Sequence, residues 1–277
     1  MTIIPGDIKT AQFHQLLLGA IAPRPICFAS TIDEDGNPNL SPFSFFNVFG
    51  SKPPILIFSP ARRVRDNTIK HTLENAIATK EVVINVVNYA IVQQMSLSSC
   101  EYPKGVNEFV KAGLTPIASE VVKPFRVKES PAQFECKVLE VKATGEEGGA
   151  GNLIICEVLR MHIHDDVLNE QGQIDPHKID LVARMGGDHY CRASGNAVFD
   201  VAKPNLQLGI GIDALPERIK QSHILSGNHL GQLANVSAIP MVDESFQLTG
   251  NDFEQQAKQL LDAHEIEKAW QVLLRMK

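Results

Sequence analysis

Residues 23–47 read PRPICFASTIDEDGNPNLSPFSFFN, and this stretch decides the fold class. Pro23-Arg24-Pro25 stops whatever helix precedes it, and Ile26 to Ile32 then reads as a strand. Asp33-Glu34-Asp35-Gly36-Asn37 is a hairpin signal, because Asp-Gly supplies the positive φ that such turns require. Leu40 to Phe49 is aromatic and strand-like, and Pro42 within it implies a bulge or an edge. Upstream, Thr10 to Ala20 carries Phe13, Leu16 and Leu17 at helical spacing, with Ile21 one step beyond. Downstream, Pro53-Pro54 leads into a short buried strand, Ile55 to Phe58, and Asp66 to Thr79 reads as a helix. Val82 to Val87 is a β-branched strand, and helical stretches run from Tyr89 to Ser98 and from Val106 to Ala112. Ala132 to Thr144 and Asn152 to His164 form two long strands. Short strands interrupted by a few helices predict a mainly β chain closed into a barrel, with none of the regular βαβ alternation of a parallel sheet.

The character changes past about Ala193. Leu206 to Ile212 reads as a strand, Pro216 opens a short helix, and Asn228 to Leu233 makes another. From Asp252 two helices follow, with Phe253, Leu260, Leu261, Ile266, Trp270, Leu273 and Leu274 as their apolar stripes. The expected division is therefore a barrel over 1–195 and a largely helical accessory extension over 196–277.

Composition narrows the function classes. The 277 residues are 44% hydrophobic and 21% charged, which excludes collagen-like and disordered chains. The net charge of −6 gives no help to phosphate neutralisation, so no nucleic-acid partner is expected. The uncharged stretches 82–100 and 221–242 carry amides, serines or histidines and are not the apolar runs a bilayer demands. No basic segment followed by an apolar one opens the chain, and the five scattered cysteines include no C-x-x-C pair. A cytoplasmic protein with reduced thiols and no bound metal is the expectation.

Several motifs compete for chemistry. The glycines between 145 and 151 lack the Lys-Ser/Thr of a phosphate loop and join two strands, so they predict a flexible hairpin. His162, His164, Asp165 and Asp166 share Arg160's neighbourhood, which disfavours a cation and leaves a solvated strand end. No G-x-S-x-G elbow supports a hydrolase. Lys52, Arg62, Arg63 and Arg65 concentrate positive charge just before Asp66, Asn67 and Thr68 at a predicted helix start. Unpaired N–H groups and the dipole there suit a phosphate monoester, and a plainly capped helix is the other reading. The run Asn39 to Asn47 mixes aromatics with Ser and Asn, which suits a planar heterocycle as well as it suits core packing.

Taken in order, Pro23-Arg24-Pro25-Ile26 through Ser30-Thr31, the Asp-Gly turn, Asn39 to Asn47, Pro53-Pro54 and Arg65-Asp66-Asn67-Thr68 resemble the flavin reductase-like, FMN-binding split-barrel family. Glu81 to Val86, Ala112 to Pro116, Glu129-Ser130-Pro131 and Arg184 to Tyr190 continue the likeness, which spans about residues 10 to 195. The resemblance implies a split β-barrel and a homodimer with FMN near the subunit interface, reduced by NADH or NADPH. It implies that Arg65, Asn67 and Thr68 hold the phosphate, and that Ser30, Thr31, Ser44, Phe45 and Asn47 line the isoalloxazine and ribityl chain. Arg184 and Tyr190 are expected near the flavin or the nicotinamide, and no residue is expected as a general base. A flavin-dependent monooxygenase or another acceptor would take the electrons. Rival expectations are an FMN electron carrier serving a protein partner and a non-enzymatic ligand-binding barrel.

Overall fold

In the computed structural model, which describes residues 1–204, 208–248 and 252–276, the stretch 23–47 becomes three strands and the start of a fourth. The three are β1 (Arg24–Pro25), β2 (Cys27–Ile32) and β3 (Pro38–Phe43), preceded by helix α1 (Thr10–Ala20). The Asp-Gly turn forms as its sequence dictates. Gly36 takes φ 86°, and the Asp33 carboxylate accepts from the backbone N–H of Asp35 and Asn37. The chain continues through β4 (Phe46–Ser51), β5 (Pro54–Phe58), α2 (His71–Thr79), β6 (Glu81–Val86), α3 (Val92–Ser98) and α4 (Glu108–Ala112). The short pair β7 (Pro116–Ile117) and β8 (Arg126–Val127) precedes the long hairpin β9 (Ala132–Ala143) and β10 (Asn152–Ile163). Strands β11 (Val182–Arg184) and β12 (Tyr190–Arg192) pair with β1 in a small three-stranded sheet.

The main sheet has seven antiparallel strands in the order β3-β2-β6-β9-β10-β5-β4. Its two edges, β3 and β4, are consecutive in the chain and separated only by Ser44 and Phe45. Three Cα steps reach at most about 11 Å, so the sheet must curl until its edges nearly meet. Yet β3 and β4 form no ladder with each other. The barrel is split along that seam, where the expectation from strand patterning was closure. Pro42 sits on the edge strand β3, where a missing N–H leaves no neighbour unpaired.

Side chains from alternate positions over 26–29 enter two different cores. Cys27 and Ala29 face the barrel interior with Phe58, Ile84 and Ile154, whereas Ile26 and Phe28 pack under α3 and α4 with Met95 and Phe109. The glycine hairpin between β9 and β10 is pinned, not loose. Gly149 N donates to Arg62 O, Arg62 N donates to Ala150 O, and a Cβ at Gly148 would sit 3.0 Å from two carbonyls of the Arg63–Val64 segment.

Helix α2 starts later than its sequence suggests. The Asp66 carboxylate accepts from Thr68 N at 3.1 Å and Thr68 Oγ1 at 2.7 Å, and Asn67 takes φ 57°. That local turn outcompetes helix at 66–68, so Lys70 stands at the N-cap and His71 opens the first turn. Helix α1 forms as expected but buries no side chain, and Leu16, Leu17 and Ile21 are exposed.

Contacts divide the chain into Met1–Phe199 and Asp200–Lys277. The second unit holds α5 (Glu217–Lys220), α6 (Gly227–Ala234), α7 (Phe253–Asp262) and α8 (Ile266–Leu273). Of the expected strand over Leu206 to Ile212, the first two residues lie outside the described residues, and 208–211 form no strand. This unit has its own core, in which Trp270, Leu233, Leu261 and Leu273 are fully buried and the indole N–H donates to Leu233 O. Ser226 caps α6 in a reciprocal box with His229, whose Nε2 meets Asp262 at 2.9 Å. That bond to His229 holds the Asp262 carboxyl below its ordinary range. Among the described residues, no helix is long and apolar enough to cross a membrane.

Candidate functional site

A cleft of about 340 Å³ lies at the Ser44-Phe45 link between β3 and β4. It is lined by Pro23, Arg24 and Pro25, by Ile21 at the end of α1, and by Ser44, Phe45, Phe46 and Asn47. Phe49, Ile57, Ser59 and Leu153 complete it, so the lining is mostly apolar with a few polar edges. Phe45 is placed edge-on to His14 of α1, with ring centroids 6.2 Å apart. A second cleft of about 160 Å³ lies beside the first and is bounded by Phe43, Ser44, Ser96, Arg184 and Tyr190. Ser44 lines both. A third hollow of about 220 Å³ shares Ser96 and Tyr190 with the second and adds Tyr89, Cys191 and Arg192.

Charge around these clefts is positive. Arg184 stacks on the Tyr190 ring at 4.6 Å, donates to the Tyr190 hydroxyl, and donates to Gly187 O at 2.7 Å. Arg192 is clamped by both oxygens of Asp180 and lies 3.8 Å above the Tyr89 ring. Arg24 donates to the carbonyls of Leu18, Ile21 and Met185. Burial, and then the Arg184 charge, push the Arg24 guanidinium below its ordinary value.

The basic segment forms a tight loop of its own. Arg62 Nε donates to Asn67 Oδ1 at 2.6 Å, and Asn67 Nδ2 donates to Glu146 O at 3.0 Å. Arg63 donates to Thr68 Oγ1 at 2.9 Å and pairs with Glu101 at 3.0 Å. Arg65 meets Asp66 at 3.0 Å and the second oxygen of Glu101. Hydrogen bonds from the Thr68 hydroxyl and N–H hold the Asp66 carboxyl down to about 2. The helix end beside this loop is at Lys70, whose ammonium lies 5.6 Å over the Phe43 ring. Burial and the nearby Arg63 push the Lys70 ammonium below its ordinary value.

The structure thus sorts the residues singled out from sequence into four places, with Ser44 shared by two of them. Ser44, Phe45 and Asn47 line the larger cleft, and Ser44, Arg184 and Tyr190 line the second. Arg65, Asn67 and Thr68 sit together in the basic loop, outside both linings. Ser30 and Thr31 are fully buried in β2, and strand alternation turns them to opposite faces. Thr31 joins a buried relay in which Asn75 Nδ2 donates to Thr31 Oγ1, Thr72 Oγ1 donates to Asn39 Oδ1, and Asn39 Nδ2 donates to Glu108. Burial raises the Glu108 carboxyl above its ordinary range. Sequence reading passed over Arg24, Phe49, Ser59 and Lys70. Arg24 was legible only as part of a helix breaker, and Lys70 only as a residue inside a longer helix.

Comparison with known proteins places this geometry. Residues 19–182 match the flavin reductase like domain. An uncharacterized protein of Aquifex aeolicus (strain VF5) is 39% identical over 201 residues, covering 73% of this chain and 100% of that protein. The protein YwrF of Bacillus subtilis (strain 168) is 31% identical over 196 residues, 69% of this chain and 95% of YwrF. Among crystal structures, nitrilotriacetate monooxygenase component B from Bacillus cereus superposes with a TM-score of 0.68 at 28% identity, covering 73% of this chain and 98% of that one. A Shewanella frigidimarina NCIMB 400 protein assigned as a flavin reductase with a split barrel domain gives 0.61 at 28% identity, over 71% of this chain and 96% of that one.

Proposed function

The chain belongs to the flavin reductase-like family, and on that premise we propose that it is an FMN-binding NAD(P)H:flavin oxidoreductase that works as a homodimer. The observation that carries this reading is the junction at Ser44, where an apolar cleft with polar edges meets a second cleft walled by Arg184 and Tyr190. The residues present fit a flavin. Phe45, Phe46 and Phe49 offer flat apolar surface, Ser44 and Asn47 offer hydrogen bonds, and the buried Arg24 Nε has no hydrogen-bond partner. When bound, FMN supplies the redox chemistry between a nicotinamide donor and an acceptor; the protein binds, orients and tunes.

Ser44, Phe45 and Asn47 take the ring and the ribityl chain in this proposal. Arg65, Asn67 and Thr68, helped by Lys70 at the α2 end, take the phosphate. For Arg65 that requires leaving Glu101, an exchange of one anion for another at an exposed site. Ser30 and Thr31 are fully buried and act through packing, Thr31 also through the hydrogen bond it accepts from Asn75. Arg184 and Tyr190, which line the second cleft, take the flavin or the nicotinamide. The likeness to a monooxygenase component B supports an oxygenase as the acceptor of the electrons, and the second unit is proposed as an accessory extension.

The test is an absorption spectrum of the purified protein with FMN, followed anaerobically by NADH and then NADPH. Flavin bands that bleach with one nucleotide are expected, and they name the donor. Bands that persist with both would favour an electron carrier, and absence of flavin binding would sink the enzyme reading.

The exposed Leu17 of α1 and Val48 and Phe49 of β4 supply the proposed dimer surface. The double variant Leu17→Glu, Phe49→Glu is expected to sediment as a monomer and to lose most FMN affinity. Sedimentation equilibrium on wild type and variant checks this, and an unchanged mass would reject the surface.

A further inference from the structure

Arg24 and Arg184 stand directly opposite one another on the β1–β11 ladder. Opposed positions bring Cβ atoms to about 4.5–5.5 Å, and like charges there destabilise a sheet. Neither guanidinium has a buried counter-ion. Among the described residues no carboxylate oxygen lies within 4.0 Å of Arg24, and the one near Arg184 is Asp188 at 3.8 Å, whose side chain is fully exposed. Arg24 is only 7% exposed and its Nε has no partner. Its carbonyl contacts at the end of α1 explain why Arg24 is held there. They do not explain a second arginine placed across from it.

The two side chains front the two clefts that meet at Ser44, Arg24 the larger and Arg184 the smaller. Their terminal nitrogens already donate to Leu18, Ile21, Met185, Gly187 and Tyr190. What remains on offer is the positive charge of the pair and the one unpartnered Arg24 Nε, not an open guanidinium fork, so a delocalised anion suits the pair better than a phosphate or carboxylate gripped in bidentate fashion. We propose that the Arg24–Arg184 pair is a cation site completed by the ligand, favouring the negative charge that the pyrimidine edge of a flavin gains on reduction. The inference rests on the flavin reading above. The pair binds reduced flavin more tightly than oxidised flavin and so raises its reduction potential.

The test measures dissociation constants for oxidised FMN and, anaerobically, for reduced FMN in wild type, Arg184→Gln, Arg184→Lys and Arg24→Lys. Arg184→Gln should raise the ratio of the reduced to the oxidised constant at least tenfold, a fall of about 30 mV in the two-electron potential. The two lysine variants keep the charge and should stay within about threefold of wild type. Equal weakening of both oxidation states in Arg184→Gln would make the residue a structural support and overturn the proposal. An unmoved ratio with a raised KM for the nucleotide would overturn it too, reassigning Arg184 to the pyridine nucleotide. If wild type binds FMN in neither state, the flavin reading itself falls and takes the pair's role with it; if it binds and the ratio does not move, only the pair's role falls.

Discussion

Ser44→Trp is expected to weaken FMN binding by about a hundredfold while the melting temperature moves by only a few degrees. Ser44 is half-buried in the two-residue link between the barrel's edge strands and lines both clefts. An indole there occupies the junction that a flavin and its electron donor would share. A hundredfold loss is about 2.7 kcal/mol, reasonable for blocking the mouth of a site without rebuilding its walls. The fold should tolerate the change, because Ser44 belongs neither to a ladder nor to a hydrophobic core. Fluorescence titration with FMN gives the affinity, and calorimetry gives the melting temperature. Near-normal affinity would move the flavin away from this junction.

Glu135→Leu is expected to cost about 3–5 kcal/mol of stability, the usual consequence of stripping one partner from a buried charged network. Glu135 is fully buried on β9. Its carboxylate accepts from the backbone N–H groups of Glu120, Val121 and Val122 and meets His162 Nε2 at 2.7 Å. Removing it leaves three amides without their acceptor. Burial alone would push this carboxyl up, but the Glu120 and Val121 amides and His162 outweigh it and hold the pKa below the ordinary value. The sign of the pH dependence follows. With a folded pKa depressed below the unfolded value of about 4.3, the carboxylate's contribution is complete at higher pH and is lost as pH falls through the folded pKa. Urea denaturation at pH 7 and again towards pH 3 should show the gap between wild type and variant shrinking with acid. A gap that stays constant would mean that packing, and not the ionised carboxylate, sets the cost.

Most strands and helices were legible because their signals are local. The Asp-Gly turn, the β-branched run at 82–87 and the two long strands around the glycine hairpin each carry their own period and punctuation. The beginning of α2 was misleading for an equally local reason. Asp66 is a good N-cap type, but here its carboxylate closes a turn on Thr68 and Asn67 goes left-handed, so the helix waits until His71. Ser30 and Thr31, adjacent in sequence and grouped together as ring contacts, point to opposite faces of β2 and are both covered. Strand alternation contains that information; which face is roofed by α3 and α4 is not in the strand itself.

The succession of strands along the chain, the turn residues, a bulge or an edge at Pro42 and the likeness to a flavin-handling family were determined by the sequence alone, because each depends on neighbours a few residues away or on motifs in series. The seam, the cleft and the charge within it were decided only by tertiary structure. Arg24 and Arg184 are 160 positions apart in number and become cross-strand neighbours only when β11 pairs with β1. Ser44 is singled out in the sequence only through the family likeness; that it lines two clefts at once is decided by the folded sheet. Pairings of that kind are fixed by the global register of the sheet, and no local propensity records them.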